Sequence, residues 1–167
     1  MTQPRGDGPR LTHVDETGAA RMVDVSAKAV TARAASAAGR VLLAPAAIEA
    51  LRGGTVPKGD ALAVARIAGI QAAKRTPELV PLAHPVAIHA VAVEVSVADD
   101  GVDIAATVRT ADRTGIEMEA LTCVSVAALA LVDMIKAVVK HARITDIRVT
   151  AKSGGRSGDW REEASGA

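Results

Sequence analysis

Hydrophobic and polar positions alternate along two neighbouring segments in the middle of the chain. Residues 87–97 and 102–110 each carry apolar side chains at every second position, and the turn signal Asp-Asp-Gly at 99–101 separates them. A period of two is typical of strands with one buried face, so the pattern predicts an antiparallel hairpin. Three further strands are predicted, one clearly at 145–152 and two more weakly at 20–28 and 33–44.

Three other segments carry the apolar spacing of helices, 45–53, 59–76 and 117–142. The first begins with Pro45 and ends with Gly53, which are common helix start and stop residues. The longest has acidic residues first and basic residues last, which suits the helix dipole. Strands followed by a long helix and a final strand favour an α+β sandwich on an antiparallel sheet.

The composition adds that the side chains of the predicted core are unusually small. The chain has 167 residues, enough for one domain, and 49% of them are hydrophobic with a mean hydropathy of +0.22. It has one Trp and no Phe or Tyr, so the core must be built from Ala, Val, Ile and Leu. Such side chains bury little area each, so self-association would add to stability.

Both ends of the chain are polar and rich in Gly. We expect a disordered segment at 1–10, a single domain at 11–153 and a flexible Gly-rich segment at 154–167. No apolar leader is visible at the start, and the charge-free run 120–132 is too short to span a bilayer, so no membrane partner is expected.

Charge and cysteine content exclude some classes of partner. The net charge is +1, from 20 basic and 19 acidic residues, which implies no strong field for a polyanion. Without aromatic side chains to stack bases, nucleic-acid binding is disfavoured. Cys123 is the only cysteine, so an intrachain disulfide is impossible and a cytoplasmic location is expected.

The long predicted helix carries Asp133 and Lys136 among aliphatic residues. Glu119 lies fourteen residues before Asp133, which places the two carboxylates within about 40° of one helix face. Two interpretations remain open. The pair is either an ion pair at the rim of the core, or part of a polar pocket in which a lysine of lowered pKa acts as a general acid or base.

Two single residues lie in predicted loops where a side chain could contact a substrate. His84 lies between Pro81 and Pro85, where restricted backbone could hold it against a substrate, although a surface loop would look the same. Lys58 directly precedes a predicted helix start, where a phosphate contact is plausible, although it is equally consistent with a simple helix-entry turn.

The segments around Glu117 and Lys152 are ambiguous in the same way. Glu117 and Glu119 stand at a predicted helix start, where acidic residues also serve as caps and dipole partners. Lys152 and Arg156 are joined through glycines and could close over phosphate oxygens, or belong to a flexible tail. The histidines show no zinc-ligand spacing, and no metal site is predicted.

Four separated blocks carry a resemblance to a known family. They are MVDVSAK, KGDALAVARIAGIQAAKRTPELVPLAHP, TGIEMEALTCVSVAALALVDMIKAV and AKSGGRSGD. In this order they resemble the cyclic pyranopterin monophosphate synthases, the molybdenum cofactor biosynthesis protein C family, from about Leu11 to Trp160. The resemblance implies a ferredoxin-like antiparallel sheet with helices on one face. It also implies a lyase that converts 3′,8-cyclo-7,8-dihydroguanosine 5′-triphosphate to cyclic pyranopterin monophosphate with release of pyrophosphate.

The resemblance also implies site residues by position. The catalytic residues it implies are Asp133, Lys136 and Lys58. The substrate-binding residues it implies are Leu82, Ala83, His84, Met118, Glu119, Glu117, Lys152, Arg33 and Asp24. Ala83 stands where relatives often have Cys; a backbone contact there would make the difference small.

Partners and cofactors follow from the same resemblance. The small-molecule substrate would bind at subunit interfaces in an assembly of dimers into a hexamer (a trimer of dimers). The upstream radical enzyme is a candidate for transient contact. No cofactor is required by these residues, although Mg²⁺ could accompany the triphosphate.

A different class of function remains open from the pattern alone. A ferredoxin-like module that binds a small molecule, or serves in assembly, would explain the sheet and helices without chemistry. Turnover with release of pyrophosphate separates the two hypotheses, whereas binding alone does not.

Overall fold

The computed structural model describes residues 14, 15, 17–156 and 158–163 of the chain. The elements in chain order are β1 Thr31–Leu42, α1 Pro45–Arg52, α2 Ala61–Ala73, α3 Thr76–Leu79, β2 Ile88–Val97, β3 Gly101–Asp112, α4 Glu117–Ile135, β4 Arg143–Ser153 and β5 Trp160–Arg161.

All five strands form one sheet in the order β2-β3-β1-β4-β5, and every pairing is antiparallel. The first four strands with α2 and α4 follow the β-α-β-β-α-β connection of the ferredoxin-like motif, in which the first and third strands lie at the centre. The predicted hairpin corresponds to β2 and β3, which pair from Val97↔Val102 to Ile88↔Thr110. The predicted α+β class with an antiparallel sheet is confirmed.

The core lies between one face of the sheet and the helices. Buried positions alternate along β1 and β3, with Ala35, Ala37 and Val41 on the first strand. Small residues let α2 and α4 come close together. A Cβ atom on Gly69 of α2 would lie 2.9 Å from the carbonyl oxygen of Cys123 on α4. The Ala-rich composition therefore produces short distances between layers rather than large buried side chains.

Two predicted helices end earlier in the structure than in the prediction. In the segment 59–76, α2 ends at Ala73, and the short helix α3 begins at Thr76, because Pro77 lacks the amide hydrogen that a continuous helix would need. The segment 117–142 is helical only to Ile135. Beyond it residues 136–138 form a turn, and Val139 is 8% exposed, with its amide donating to the Ile135 carbonyl at 3.1 Å.

Two predictions about strands and ends also differ from the structure. Residues 20–28 were a weak strand candidate, but the strand prediction is wrong, since only an isolated bridge between Val14 and Ala20 forms there. At the other end the sheet extends past residue 153, because β5 pairs with β4. The predicted disordered segment 1–10 lies outside the described residues.

Within the described part of the chain, α4 is the one helix whose length and composition match a bilayer span. It packs against α2 and against β1, β3 and β4. Its apolar sequence is accounted for by this position in the core.

Candidate active site

Polar side chains gather at both ends of α4, in two separate clusters. At the amino end a pocket of about 840 Å³ opens between α4, β1 and β4. At the carboxyl end Asp133 lies between Lys58 and Lys136, and we refer to these three residues as the lysine cluster. Fourteen residues of helix separate Glu119 from Asp133, a distance of about 21 Å at 1.5 Å per residue.

The pocket at the amino end of α4, called the amino-end pocket below, draws on five segments of the chain. They are the segment before β1, β1 itself, the loop before β2, the start of α4 and the end of β4. The lining residues are Val23, Val25, Lys28, Arg33, Ala34, Leu82, Ala83, His84, Thr114, Gly115, Ile116, Glu117, Met118, Glu119, Lys152, Ser153, Gly154 and Arg156.

Glu119 is the buried carboxyl group of this pocket. Glu119 is only 3% exposed. Burial raises its pKa above the ordinary value, the neighbouring Glu117 raises it further, and its own backbone amide opposes the shift. A carboxyl group held this way can donate a proton or accept hydrogen bonds from a ligand that displaces water.

Four cationic side chains line the amino-end pocket: Lys28, Arg33, Lys152 and Arg156. Arg33 is fixed by a hydrogen bond from its Nε to the Asp112 carbonyl at 2.9 Å. Lys152 Nζ lies 3.4 Å from Glu117 Oε1 at the first turn of α4. The pocket therefore combines several positive charges with carboxylates, as a site for an anionic polar ligand requires.

His84 joins the loop before β2 to the segment before β1. Its Nε2 donates a hydrogen bond to the Val23 carbonyl at 2.6 Å, so in a neutral ring Nδ1 is the acceptor nitrogen. Asp24 lies next to Val23 but is exposed and accepts the Ser26 amide at 2.8 Å. This hydrogen bond keeps the pKa of Asp24 below its usual value.

The lysine cluster is a double ion pair on one carboxylate. Asp133 Oδ2 lies 2.7 Å from Lys58 Nζ, and Asp133 Oδ1 lies 2.7 Å from Lys136 Nζ. Lys58 Nζ also donates to the Asp133 carbonyl at 2.8 Å. Hydrogen bonds from Lys136 and Lys58 lower the pKa of Asp133 to about 2. The carboxylate is therefore ionised at neutral pH and orients both ammonium groups.

Solvent exposure corrects the expectation of low-dielectric surroundings for Lys136. Its side chain is 62% exposed and that of Asp133 is 55% exposed, because both lie on the outer side of the last helical turn. Glu119 and Asp133 do not share one site either. Angular periodicity placed them near one face, but the axial rise along the helix separates them.

The structure thus brings together eight of the twelve predicted site residues. Gathered at the amino-end pocket are Leu82, Ala83, His84, Met118, Glu119, Glu117, Lys152 and Arg33. Asp24 lies beside this pocket without lining it, and the lysine cluster is remote from it within one chain. The roles of all twelve residues stay predictions.

Sequence reasoning missed Lys28 as a pocket residue. Lys28 ends the MVDVSAK block, and its carbonyl accepts Arg113 Nε at 3.0 Å, which holds the segment against the loop after β3. Its place in a matched block was the signal that could have identified it. Val23 and Val25 lie in the same block and Thr114 begins another, so the same signal could have identified these three pocket residues.

In the described part of the chain no group of three or more His, Cys, Asp or Glu side chains could hold a metal ion. Cys123 is buried in the core, and burial raises the pKa of its thiol to about 12. The thiol is therefore unsuited to act as a nucleophile.

Comparisons with known proteins match nearly the whole chain. The MoaC family model matches residues 22–155. A protein of Streptomyces griseus subsp. griseus is 70% identical over 155 residues, covering 93% of this chain and 88% of that protein. A Streptomyces coelicolor protein is 67% identical over 162 residues, covering 95% of each chain. A Chloroflexus aggregans protein is 54% identical over 162 residues, covering 96% of this chain and 98% of its own.

All three relatives carry the name cyclic pyranopterin monophosphate synthase. The matched region includes the lysine cluster, every lining residue of the amino-end pocket except Arg156, the helix that joins the two clusters and four strands of the sheet. Identity at this level over more than nine-tenths of the chain, together with the family match, leads to one conclusion: the chain belongs to the MoaC family.

Proposed function

We propose that this protein is a cyclic pyranopterin monophosphate synthase, a lyase of molybdenum cofactor biosynthesis. Its substrate is 3′,8-cyclo-7,8-dihydroguanosine 5′-triphosphate, and pyrophosphate is released. The observation that carries the proposal is the amino-end pocket, in which four cations and a buried carboxyl group lie together. A nucleotide-derived triphosphate needs both kinds of group.

The cationic side of the pocket suits the triphosphate. Lys152 and Arg33 lie on the neighbouring strands β4 and β1, and Lys28 and Arg156 add positive charge nearby. The uncapped first turn of α4 directs backbone N–H groups to the same end of the helix. Phosphoryl chemistry depends largely on positioning and charge neutralisation, which these groups provide.

The heterocycle would lie against Met118, Glu119 and the loop that carries His84. Its ring must be opened and rebuilt into a pterin, which requires several proton transfers. Each transfer gains about 10²–10⁴-fold from a positioned acid or base. Glu119, with its raised pKa, and His84 are the titratable groups in contact with this end of the pocket.

The lysine cluster supplies the second set of acid–base groups. Since Asp133 is ionised, its part is to hold Lys58 and Lys136, and the ammonium groups are the proton donors. A general acid must lie within about 2.6–3.2 Å of the atom it protonates. Within one chain, the separation of about 21 Å prevents the lysines from reaching a ligand in the amino-end pocket.

We therefore propose that the active site is completed by a second copy of the chain, as the expected hexameric assembly of dimers implies. In that assembly the lysine cluster of one subunit faces the amino-end pocket of its neighbour. Exposed apolar side chains on the outer faces of the helices support an interface, Val64 and Ile67 on α2 and Leu129 on α4. Burial in that interface would also lower the dielectric around Lys136.

We propose further properties of the protein on the same basis. The protein would be cytoplasmic, require no resident cofactor and take Mg²⁺, if any, with the triphosphate. Contact with the upstream radical enzyme would be transient, because direct transfer of a reactive substrate needs only a brief contact.

The test is single-turnover assay of the purified protein with the cyclised nucleotide, following pyrophosphate and the pterin together. Wild-type protein should convert the substrate, and Lys136→Ala should lose at least about 10²-fold in rate, the lower range for a positioned acid–base group. Lys140→Ala, which removes an exposed lysine just beyond α4, is the matched control and should keep wild-type turnover.

Substrate binding by a well-folded wild-type oligomer without release of pyrophosphate would favour a non-catalytic binding module instead. Normal turnover by Lys136→Ala would leave the synthase intact but remove the role assigned to the lysine cluster.

A further inference from the structure

The chain continues past the amino-end pocket into a short hairpin. Gly154 and Arg156 line the pocket directly after β4, and β5 then pairs back onto that strand through Ala151↔Arg161 and Lys152↔Trp160. Between β4 and β5, Gly154 and Arg156 lie at the pocket, and Asp159 directly precedes β5.

The glycines of this turn allow a close approach to the pocket cations. Gly154 and Gly155 have φ values of +84° and +79°, in the left-handed region that favours glycine. A Cβ atom on Gly155 would overlap the guanidinium of Arg33, and one on Gly154 would overlap the Ala32 carbonyl. The turn is therefore packed directly on the side chain that the triphosphate needs.

One carboxylate closes the turn from outside the pocket. Asp159 Oδ1 accepts the Gly154 amide at 2.9 Å, across five positions of the chain. Asp159 is exposed, and it lies with Trp160 in a cleft on the outer side of the sheet rather than in the amino-end pocket. It therefore acts on the pocket through Gly154 and not by contact with a ligand.

The strand after Asp159 is fixed to the sheet. The Glu162 amide donates to the Thr150 carbonyl at 2.8 Å, and the Glu162 carboxylate accepts Arg148 Nε at 2.8 Å and 3.0 Å. These contacts give Asp159 a defined position from which to hold the turn.

We propose that Asp159 is a positioning residue that fixes the turn at Gly154 so that Arg33 and Arg156 are held for the triphosphate of the substrate. The inference rests on the proposed function, because it takes the triphosphate to bind at the cationic side of the amino-end pocket. It assigns a role to the C-terminal hairpin that neither the pocket residues nor the lysine cluster supplies.

The test is calorimetric titration of the full chain with inorganic tripolyphosphate, which isolates phosphate binding from turnover. Asp159→Ala should weaken binding about tenfold, since a hydrogen bond to a charged acceptor is lost. Asp159→Asn should stay within about threefold of wild type, because its amide oxygen can still accept the Gly154 amide. In turnover, Asp159→Ala should raise KM by a similar factor and leave kcat nearly unchanged.

Asp99→Ala is the matched control, because it removes an exposed aspartate that pairs with Arg52 at the β2–β3 turn, away from the pocket. It should bind tripolyphosphate like wild type. Wild-type affinity in a folded Asp159→Ala protein would overturn the inference, and so would an Asp159→Asn protein as weak as Asp159→Ala. A wild-type chain that binds tripolyphosphate but shows no turnover would refute the proposed function. The tripolyphosphate affinities of the Asp159 variants would still test the inference about Asp159.

Discussion

At the scale of single residues, Glu119 combines burial with a titratable group. Among the described residues it is the only charged side chain classed as buried, at 3% exposure. Burial raises its pKa above the ordinary value of 4.5. The folded state therefore holds the proton more tightly than the unfolded state does. Stability linked to this group is complete below the ordinary pKa and is lost as the pH rises through the higher folded pKa.

We expect Glu119→Gln to stabilise the ligand-free protein above that pH window. Glutamine has the shape of the protonated acid, so it avoids the cost of a buried ionised carboxylate. The melting temperature should rise by roughly 2–4 °C per kcal/mol near pH 8 and change little near pH 4. Thermal unfolding at both pH values measures this, with exposed Glu49→Gln on α1 as control. An equal shift at both pH values would contradict the linkage, while turnover should fall because the carboxyl group is lost from the pocket.

At the scale of elements, contact between α2 and α4 depends on Gly69. We expect Gly69→Val to destabilise the protein by about 2–3 kcal/mol, because the added side chain meets the backbone of Cys123 and the methyl group of Ala127. Gln71→Val places the same side chain at an exposed position of α2 and should cost only about 0.5 kcal/mol. Denaturant unfolding of both variants gives the comparison. Equal losses would show that the close helix contact is not what limits this position.

The same scale shows how far sequence reasoning reaches. The hairpin β2–β3 was predictable because alternation reports directly on a half-buried strand. The end of α4 was not, since residues 136–142 keep a helical pattern although the helix ends at Ile135. Most pocket residues could be named from matched blocks. Their separation from the lysine cluster was missed because a helical face was considered without the rise along the axis.

At the scale of the whole molecule, the proposed division of the site between two chains makes an arithmetic prediction. Lys136→Ala keeps the amino-end pocket, and Lys152→Ala keeps the lysine cluster. Each alone should be nearly inactive. Subunits of the two variants mixed at random should regain about a quarter of wild-type turnover, because one site in four then pairs two intact halves.

The control is a mixture of Lys136→Ala with Asp133→Ala. Both changes lie in the lysine cluster, so every site remains defective and no turnover should return. Mass spectrometry of differently labelled subunits would confirm that the chains exchange. Exchanged but inactive mixtures of the first pair would contradict the shared site.

The aromatic-poor composition gives the molecule an unusual optical property. Trp160 is the chain's only aromatic residue apart from its histidines, and it lies in β5 with 48% exposure. The hydrophobic core therefore contains no residue that fluoresces, and the near-ultraviolet emission of the protein comes from Trp160 on the edge strand alone. Heat or denaturant that loosens this strand should change fluorescence before circular dichroism reports loss of the helices. The near-ultraviolet absorption of a pterin should likewise be easy to measure, because Trp160 is the protein's one strong absorber in that range.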